Sequence, residues 1–356
     1  MNTGTHSRRR RLAAVSAVGI LALTSCSGGD ESEAAEGGGE ESYGDISLAL
    51  SWIENAEFAG EFFAKENGYY EEAGFDSVEF IPGPGPIENM VASGEASIGT
   101  SNAVATGQVI AEEDAPLKIV GAKYQRNPFT ILSLADGGDI ATPEDLVGKT
   151  IGVQAGGNEA LFEALLEAND IDPEEVEMVP VEYDPAPLVD GEVDGFFAFV
   201  TNESLTVELM GNEVTNLMLS ENGLPFVAEA FITTEEMIEE DPELIKSFLE
   251  AEIQGWKDAV SDPEEGARLA VEQYGEHLDL EMEKEVRQAE VQVDLVVTDE
   301  VRENGLFTIS ENLQSESVES LERAGVDVTA EELFDLSLLE ELLEENPELA
   351  EIPDGA

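Results

Sequence analysis

A single cysteine, Cys26, serves all 356 residues, so no intrachain disulfide and no thiolate metal cluster can form. Histidine occurs only at His6 and His277, too few for a Ser–His or Cys–His nucleophile pair. Lys and Arg total 16 against 80 Asp plus Glu, a formal charge of −64. Phosphate binding needs basic surface, so this balance argues against a nucleic-acid partner. Neither a Walker-type phosphate loop nor a dinucleotide glycine pattern is present. Among so many carboxylates, an acid–base pair cannot be singled out. No metal and no cofactor is expected. The remainder is ordinary: 42% hydrophobic residues suffice for a globular core, and at roughly 100–200 residues per domain the length suggests two domains.

The amino terminus reads as a processing signal over residues 1–26. A basic head, Arg8 to Arg11, precedes an apolar run from Leu12 to Leu23. Twelve apolar residues are short for a membrane span, which needs about 20. Leu23-Thr-Ser-Cys26 looks like a lipobox, which would make Cys26 the lipidated first residue of an exported protein anchored to the outer face of the cell membrane. His6 and the four arginines leave with the signal. Residues 27–44, glycine-rich and acidic, are expected to be a flexible tether. A shell this acidic repels itself, and about 1 M salt shortens the Debye length to about 3 Å. A salt-adapted source facing brine is therefore expected.

From Asp45 onward strands and helices alternate. Strands are expected at Asp45–Leu50, Ser77–Ile81, Gly94–Gly99 and Leu117–Ala122, with helices at Ala56–Asn67, Ile87–Ser93 and Ala103–Glu112 between them. Pro82 to Pro86 interrupts this series as a rigid loop. The rhythm then restarts: Phe129–Leu134, Thr150–Val153, Glu177–Val181, Gly195–Val200 and Phe226–Ile232 read as strands, and Glu159–Asn169 as a helix. Beyond Pro242 the pattern is mostly helical, and the Leu/Glu-rich tail from about Glu331 reads as an amphipathic helix on the first module. Such alternation implies two α/β modules with parallel sheets and right-handed crossovers.

Ligands of open α/β sheets sit beyond the carboxyl ends of strands, which directs attention to the residues there. Trp52, after the first strand, either stacks on a flat ligand or packs between the modules. Gly156, Gly157 and Asn158 open a helix whose free N–H groups either donate to a ligand or simply form a tight turn. Lys123 to Phe129 lies where the modules join and reads as hinge and cleft lining. Asn202 and Glu203 end another strand; Glu203 suits a ligand amino group or ring N–H. His277 reads as a surface residue.

Together these segments resemble the substrate-binding lipoproteins of bacterial ABC importers, in the thiamine-precursor-synthase-like (THI5/NMT1-like) family. The matching stretches are Trp52 to Asn55, Ala64 to Tyr70 with Gly74, Met90 to Gly99, Gln125 to Phe129, Pro143 to Val153 and Gly191 to Asp194. The resemblance implies a bilobed, periplasmic-binding-protein-like fold of type II, with two parallel-rich sheets flanked by helices and a hinge of two crossings. Lobe one would be 45–128 plus 229–356 and lobe two 129–228. The implied function is binding a small solute between the lobes and delivering it to an ABC permease and its ATPase. Fungal relatives synthesise a pyrimidine with a reactive His and a cysteine-rich motif; this chain has neither, so a non-enzyme is expected. For a pyrimidine, Trp52 and Glu203 would stack and accept, with Asn55, Tyr124, Gln154, Asn158 and Asn202 as polar partners; Gln125 and Asn127, in the cleft-lining stretch, complete the expected ligand-binding set. For nitrate or an organosulfonate, Arg126, Lys123, Gly156 and Gly157 would serve. Riboflavin would need a broader aromatic slot.

Overall fold

The computed structural model describes residues 42–353. Cys26, His6 and the signal lie outside the described residues, as does most of the tether. Two five-stranded sheets organise the described residues. In the first, β1 (Gly44–Ala49), β2 (Phe75–Ile81), β3 (Ile98–Ser101) and β4 (Leu117–Tyr124) are joined by a strand from much later in the sequence. The second is made of β5 (Phe129–Leu134), β6 (Thr150–Val153), β7 (Glu177–Pro180), β8 (Gly195–Phe199) and β9 (Val214–Met218). The late strand β10 (Ala228–Thr234) returns to the first sheet. The orders are β2-β1-β3-β10-β4 and β7-β6-β8-β5-β9.

Each sheet is parallel-rich, as expected, but mixed: four of its five strands run one way and a single strand runs against them. In the first, β1 runs parallel to β2 and β3, while β10 is antiparallel to β3 and β4. In the second, β6 is parallel to β7 and β8, and β5 is antiparallel to β8 and β9. The antiparallel strands β5 and β10 are the ones reached by the connections between sheets. They arrive without a helical crossover and so run the opposite way.

The local chemistry explains the elements. Asn102 caps the helix Ala103–Glu113, its Oδ1 accepting from Val104 and Ala105 N–H at 3.0 Å each. The expected helix over Ala56–Asn67 is a 3₁₀ turn, Ala56–Phe58, followed by an α-helix, Ala59–Glu66. Phe58, Phe62 and Phe63 are buried, and Gly68 ends the segment at φ 78°. This helix lies tight against the long helix Pro242–Ser261. A methyl at Gly60 would stand 2.2 Å from the Trp256 ring, and one at Gly255 would stand 2.2 Å from the Gly60 carbonyl. Glu61, the next residue of this helix, is fully buried against Lys123.

Some expected bounds move. β3 begins at Ile98, because Gly94 to Ser97 forms a turn with Gly94 at φ 75°. The strand expected from Phe226 begins at Ala228. The tail helix Ser337–Glu345 buries Leu338, Leu339 and Leu342 against the long helix and β4, and Phe334 bridges to Ile119. No helix of the described residues is long and apolar enough to cross a membrane.

The sheets are joined by two short links, Gln125–Pro128 and Leu219–Val227. Asn127 in the first donates from Nδ2 to the Leu224 carbonyl in the second at 2.8 Å.

Candidate functional site

The strand directions decide where a ligand can sit. The carboxyl ends of β1, β3, β6 and β8 and the amino ends of β5 and β10 converge between the sheets. A cavity of about 300 Å³ opens there. Ser51 and Trp52 extend β1, Thr100 to Asn102 end β3, Gln154 follows β6, and Phe197 to Phe199 end β8. Phe129 starts β5, and Glu229 is the second residue of β10. Pro84 and Gly85 of the proline loop complete one wall, with Gly83 N–H donating to the Trp52 carbonyl at 2.9 Å.

One face is aromatic. Phe129 meets the Phe199 ring edge-on at 4.6 Å between centroids and lies 5.2 Å from Phe197. Trp52 touches Tyr183, which follows β7, at 5.2 Å and 63°. The first residue comes from the first sheet and the second from the other, so this pair spans the cavity.

The charged part of the lining is wholly acidic, Glu57, Glu88, Glu203 and Glu229, set among neutral polar side chains such as Ser51, Asn102 and Gln154. No lysine, arginine or histidine is in the lining. Glu203 accepts from Phe199 N–H and from Asn202 Nδ2, both at 2.8 Å. Burial pushes its carboxyl up despite those bonds and the nearby Lys284. Glu88 is bonded to the Ser101 hydroxyl. Gln154 donates to the Phe197 carbonyl at 3.0 Å and accepts from Asn158 at 3.0 Å, which fixes both amides.

Glu229 sits at φ 45°, a left-handed conformation that non-glycine residues rarely adopt. Ser51 Oγ donates to both of its carboxylate oxygens, at 3.0 and 2.8 Å. Behind it, Lys123 Nζ lies 3.6 Å from Glu229 and 2.5 Å from Glu61. The ammonium also stands 4.8 Å from the Phe58 ring centre and 5.4 Å from both Phe231 and Trp256. Burial works against the charge of Lys123, but Glu61 and Glu229 outweigh it and hold the ammonium above its usual range.

The structure therefore sorts the residues singled out in the sequence. Trp52, Gln154, Asn158, Asn202 and Glu203 line the cavity together. Asn55, Tyr124, Gln125, Asn127, Gly156 and Gly157 are not in its lining. Asn55 caps the 3₁₀ turn, accepting from Glu57 N–H at 3.1 Å. Tyr124 donates to Gln292 at 2.9 Å, and Gln125 to the Ala122 carbonyl at 2.9 Å. Asn127 ties the links. Of the groups suited to an anion, Lys123 is engaged inside the first sheet, and exposed Arg126 donates to the Asp294 carbonyl at 2.9 Å. His277 is exposed, in a short 3₁₀ turn.

Of the stretch Lys123 to Phe129 read as cleft lining, Phe129 does line the cavity, whereas sequence reasoning passed over Ser51, Glu57, Glu88, Tyr183, Phe197, Phe199 and Glu229. Most of them stand at the cavity ends of strands, the signal that brought Trp52 forward. Glu229 escaped because β10 runs antiparallel, which puts its start rather than its end at the cavity.

Two mixed α/β sheets with a cavity between them define a periplasmic-binding-protein-like fold. The solved nitrate-binding protein NrtA of Synechocystis PCC 6803 superposes with a TM-score of 0.62 at 14% identity, covering 87% of this chain and 91% of that one. The family model described as NMT1/THI5 like matches residues 55–266, and the chain belongs to that family. The formylaminopyrimidine-binding protein of Halalkalibacterium halodurans is 27% identical over 256 residues, 70% of this chain and 75% of that protein. The riboflavin-binding protein RibY of Chloroflexus aurantiacus is 25% identical over 233 residues. That match covers 64% of this chain and 66% of RibY, just under two thirds of its length. A third relative, the 4-amino-5-hydroxymethyl-2-methylpyrimidine phosphate synthase of Legionella pneumophila, is 24% identical over 63% of this chain and 72% of its own.

Proposed function

We propose that this protein is the extracytoplasmic solute-binding component of an ABC importer, and that its ligand is a small amino-bearing heteroaromatic such as a pyrimidine thiamine precursor. One observation carries the ligand class: the cavity combines aromatic rings from both sheets with four glutamates and no basic side chain. Aromatic rings stack on a flat ring. Carboxylates accept from amino and ring N–H groups and repel nitrate or sulfonate. The binding-protein relatives support the class. A cavity of about 300 Å³ is at the small end for ligand sites and favours a single ring over a flavin.

In this reading residues 45–128 plus 229–356 form one lobe and 129–228 the other. They close on the solute about the two links and present it to a permease powered by an ATPase. Lipid on Cys26 anchors the chain outside the membrane. The competing reading is a synthase, favoured by the Legionella relative. Against it stand an exposed His277 and the absence of cysteine from the cavity lining.

The test is calorimetric titration in about 2 M salt with an aminopyrimidine, riboflavin, taurine and nitrate. Heat with the aminopyrimidine and none with the anions is expected. Binding of taurine or nitrate alone would overturn the ligand class, and turnover of a bound pyrimidine would overturn the transport reading.

A further inference from the structure

Two carboxyl groups meet in the cavity wall. Glu57 comes from the 3₁₀ turn after β1 and Glu229 from the start of β10, and their exposures are 3% and 4%. The Glu229 carboxylate is held by Ser51 and Lys123. No donor among the described residues hydrogen-bonds the Glu57 carboxyl, and the Glu229 carboxylate is its acidic neighbour in the cavity wall. A buried polar group without a donor, on the wall of a cavity, is costly unless something else satisfies it.

Burial first, and the Glu229 carboxylate second, hold Glu57 far above the usual carboxylate range. A donorless carboxyl in the cavity wall, placed so, favours the form that carries a proton. The other charged groups around the pair are few. Glu61 faces it from the helix Ala59–Glu66, Lys123 from β4, and Glu203 from the second sheet. Glu88 adds a further carboxylate to the lining. Lys123 is the cation of this group, and it is already divided between Glu61 and Glu229. Lys284 reaches Asn202 and stops there. The cavity thus gathers four carboxyl groups and no cation in its lining, and Glu57, which no donor satisfies, is placed to hold a proton.

We infer that the ligand is held as a cation: Glu57 hands its proton to a basic ring nitrogen of the aminoheteroaromatic, leaving Glu57 and Glu229 as two carboxylates against the protonated ring. This rests on the ligand class proposed above. The O–H bond of Glu57 breaks and an N–H bond forms at the ring nitrogen, with no redox change and no other reactant. The protonated ring nitrogen and the neighbouring amino group then offer two parallel donors, which match the carboxylates. Trp52 gains a cation–π contact with the same ring.

The probe is 4-amino-2-methylpyrimidine, bound to the full chain in about 2 M salt at a pH where the free probe is neutral. An ultraviolet difference spectrum reads its protonation state directly. The bound probe is expected to absorb as its protonated form. In Glu57→Gln, checked for folding by circular dichroism, it is expected to absorb as the neutral base and to bind roughly tenfold more weakly or worse. A neutral spectrum in the unmodified protein would overturn the proton transfer and leave the ligand class standing. So would a protonated spectrum at full affinity in Glu57→Gln. No binding of the probe at all would overturn the ligand class, and this inference with it.

Discussion

Trp52 and Tyr183 stand 5.2 Å apart, edge against face, one carried by the end of β1 and the other by the end of β7. Each belongs to a different sheet, and both line the cavity. An aromatic ligand between the sheets would share their faces. Trp52→Ala and Tyr183→Ala should each weaken aminopyrimidine binding by roughly 1–3 kcal/mol, the range for stacking a base on an aromatic side chain. Calorimetry checks this. Unchanged affinity in both variants would remove the pair from the site.

Lys123 holds the cavity wall from behind. Its ammonium is fully buried beside Glu61 and Glu229, so removing it leaves uncompensated carboxylates in a dry interior. Lys123→Met should destabilise the fold by about 3–5 kcal/mol, as for other broken buried pairs. Adding Glu61→Leu should recover much of that loss, because it deletes one stranded charge. Urea unfolding measures both, and a double variant no more stable than the single one would contradict the assignment.

Glu252 lends itself to a pH experiment. It is fully buried and bonded to the Tyr70 hydroxyl. Burial first, then the carboxylate of Glu61, raise it well above its ordinary value, while Tyr70 and Lys123 pull the other way. A carboxyl raised on folding contributes stability that is complete below its unfolded value, near pH 4.5, and is lost as pH climbs toward the folded value. Glu252→Gln cannot ionise and keeps an acceptor for Tyr70. Its stability relative to the parent should therefore improve as pH rises above about 5, by up to roughly 1 kcal/mol per unit. Unfolding at constant ionic strength reads the slope; a flat difference would show that Glu252 ionises freely.

The surface charge leads to a salt experiment. With 80 acidic residues against 16 basic ones, screening should relieve self-repulsion. The thermal midpoint should rise between 0.1 and 2 M salt. A constant or falling midpoint would remove the case for salt adaptation.

Much of the architecture was legible because burial leaves a periodic trace. Ile46 and Leu48 alternate with polar neighbours in β1, and Phe58 and Phe62 repeat at helical spacing. β9 was missed because its stretch, Val214–Met218, is half-exposed and carries Thr215 and Asn216, which break the apolar signal. The single reversed strand in each sheet, β10 or β5, was not foreseen because strand direction is set by the links between sheets, which leave no local pattern. The cavity was partly legible for the same reason. Gln154 and Asn158 follow a parallel strand, as topology directs, whereas Glu229 depends on the antiparallel return of β10. Tyr124 and Asn55 are polar residues in the right neighbourhood whose hydrogen bonds are made inside the protein, at Gln292 and at the turn of Glu57. Side-chain direction decides such cases, and sequence spacing does not encode it.

The central claim is that the acidic, aromatic cavity selects an amino-bearing ring over an anion. Competition calorimetry in about 2 M salt addresses it most directly, with an aminopyrimidine titrated in the presence and absence of excess taurine and nitrate. Saturable binding that neither anion disturbs is the expected result. Displacement of the pyrimidine by taurine or nitrate, or binding of the anions alone, would contradict the account.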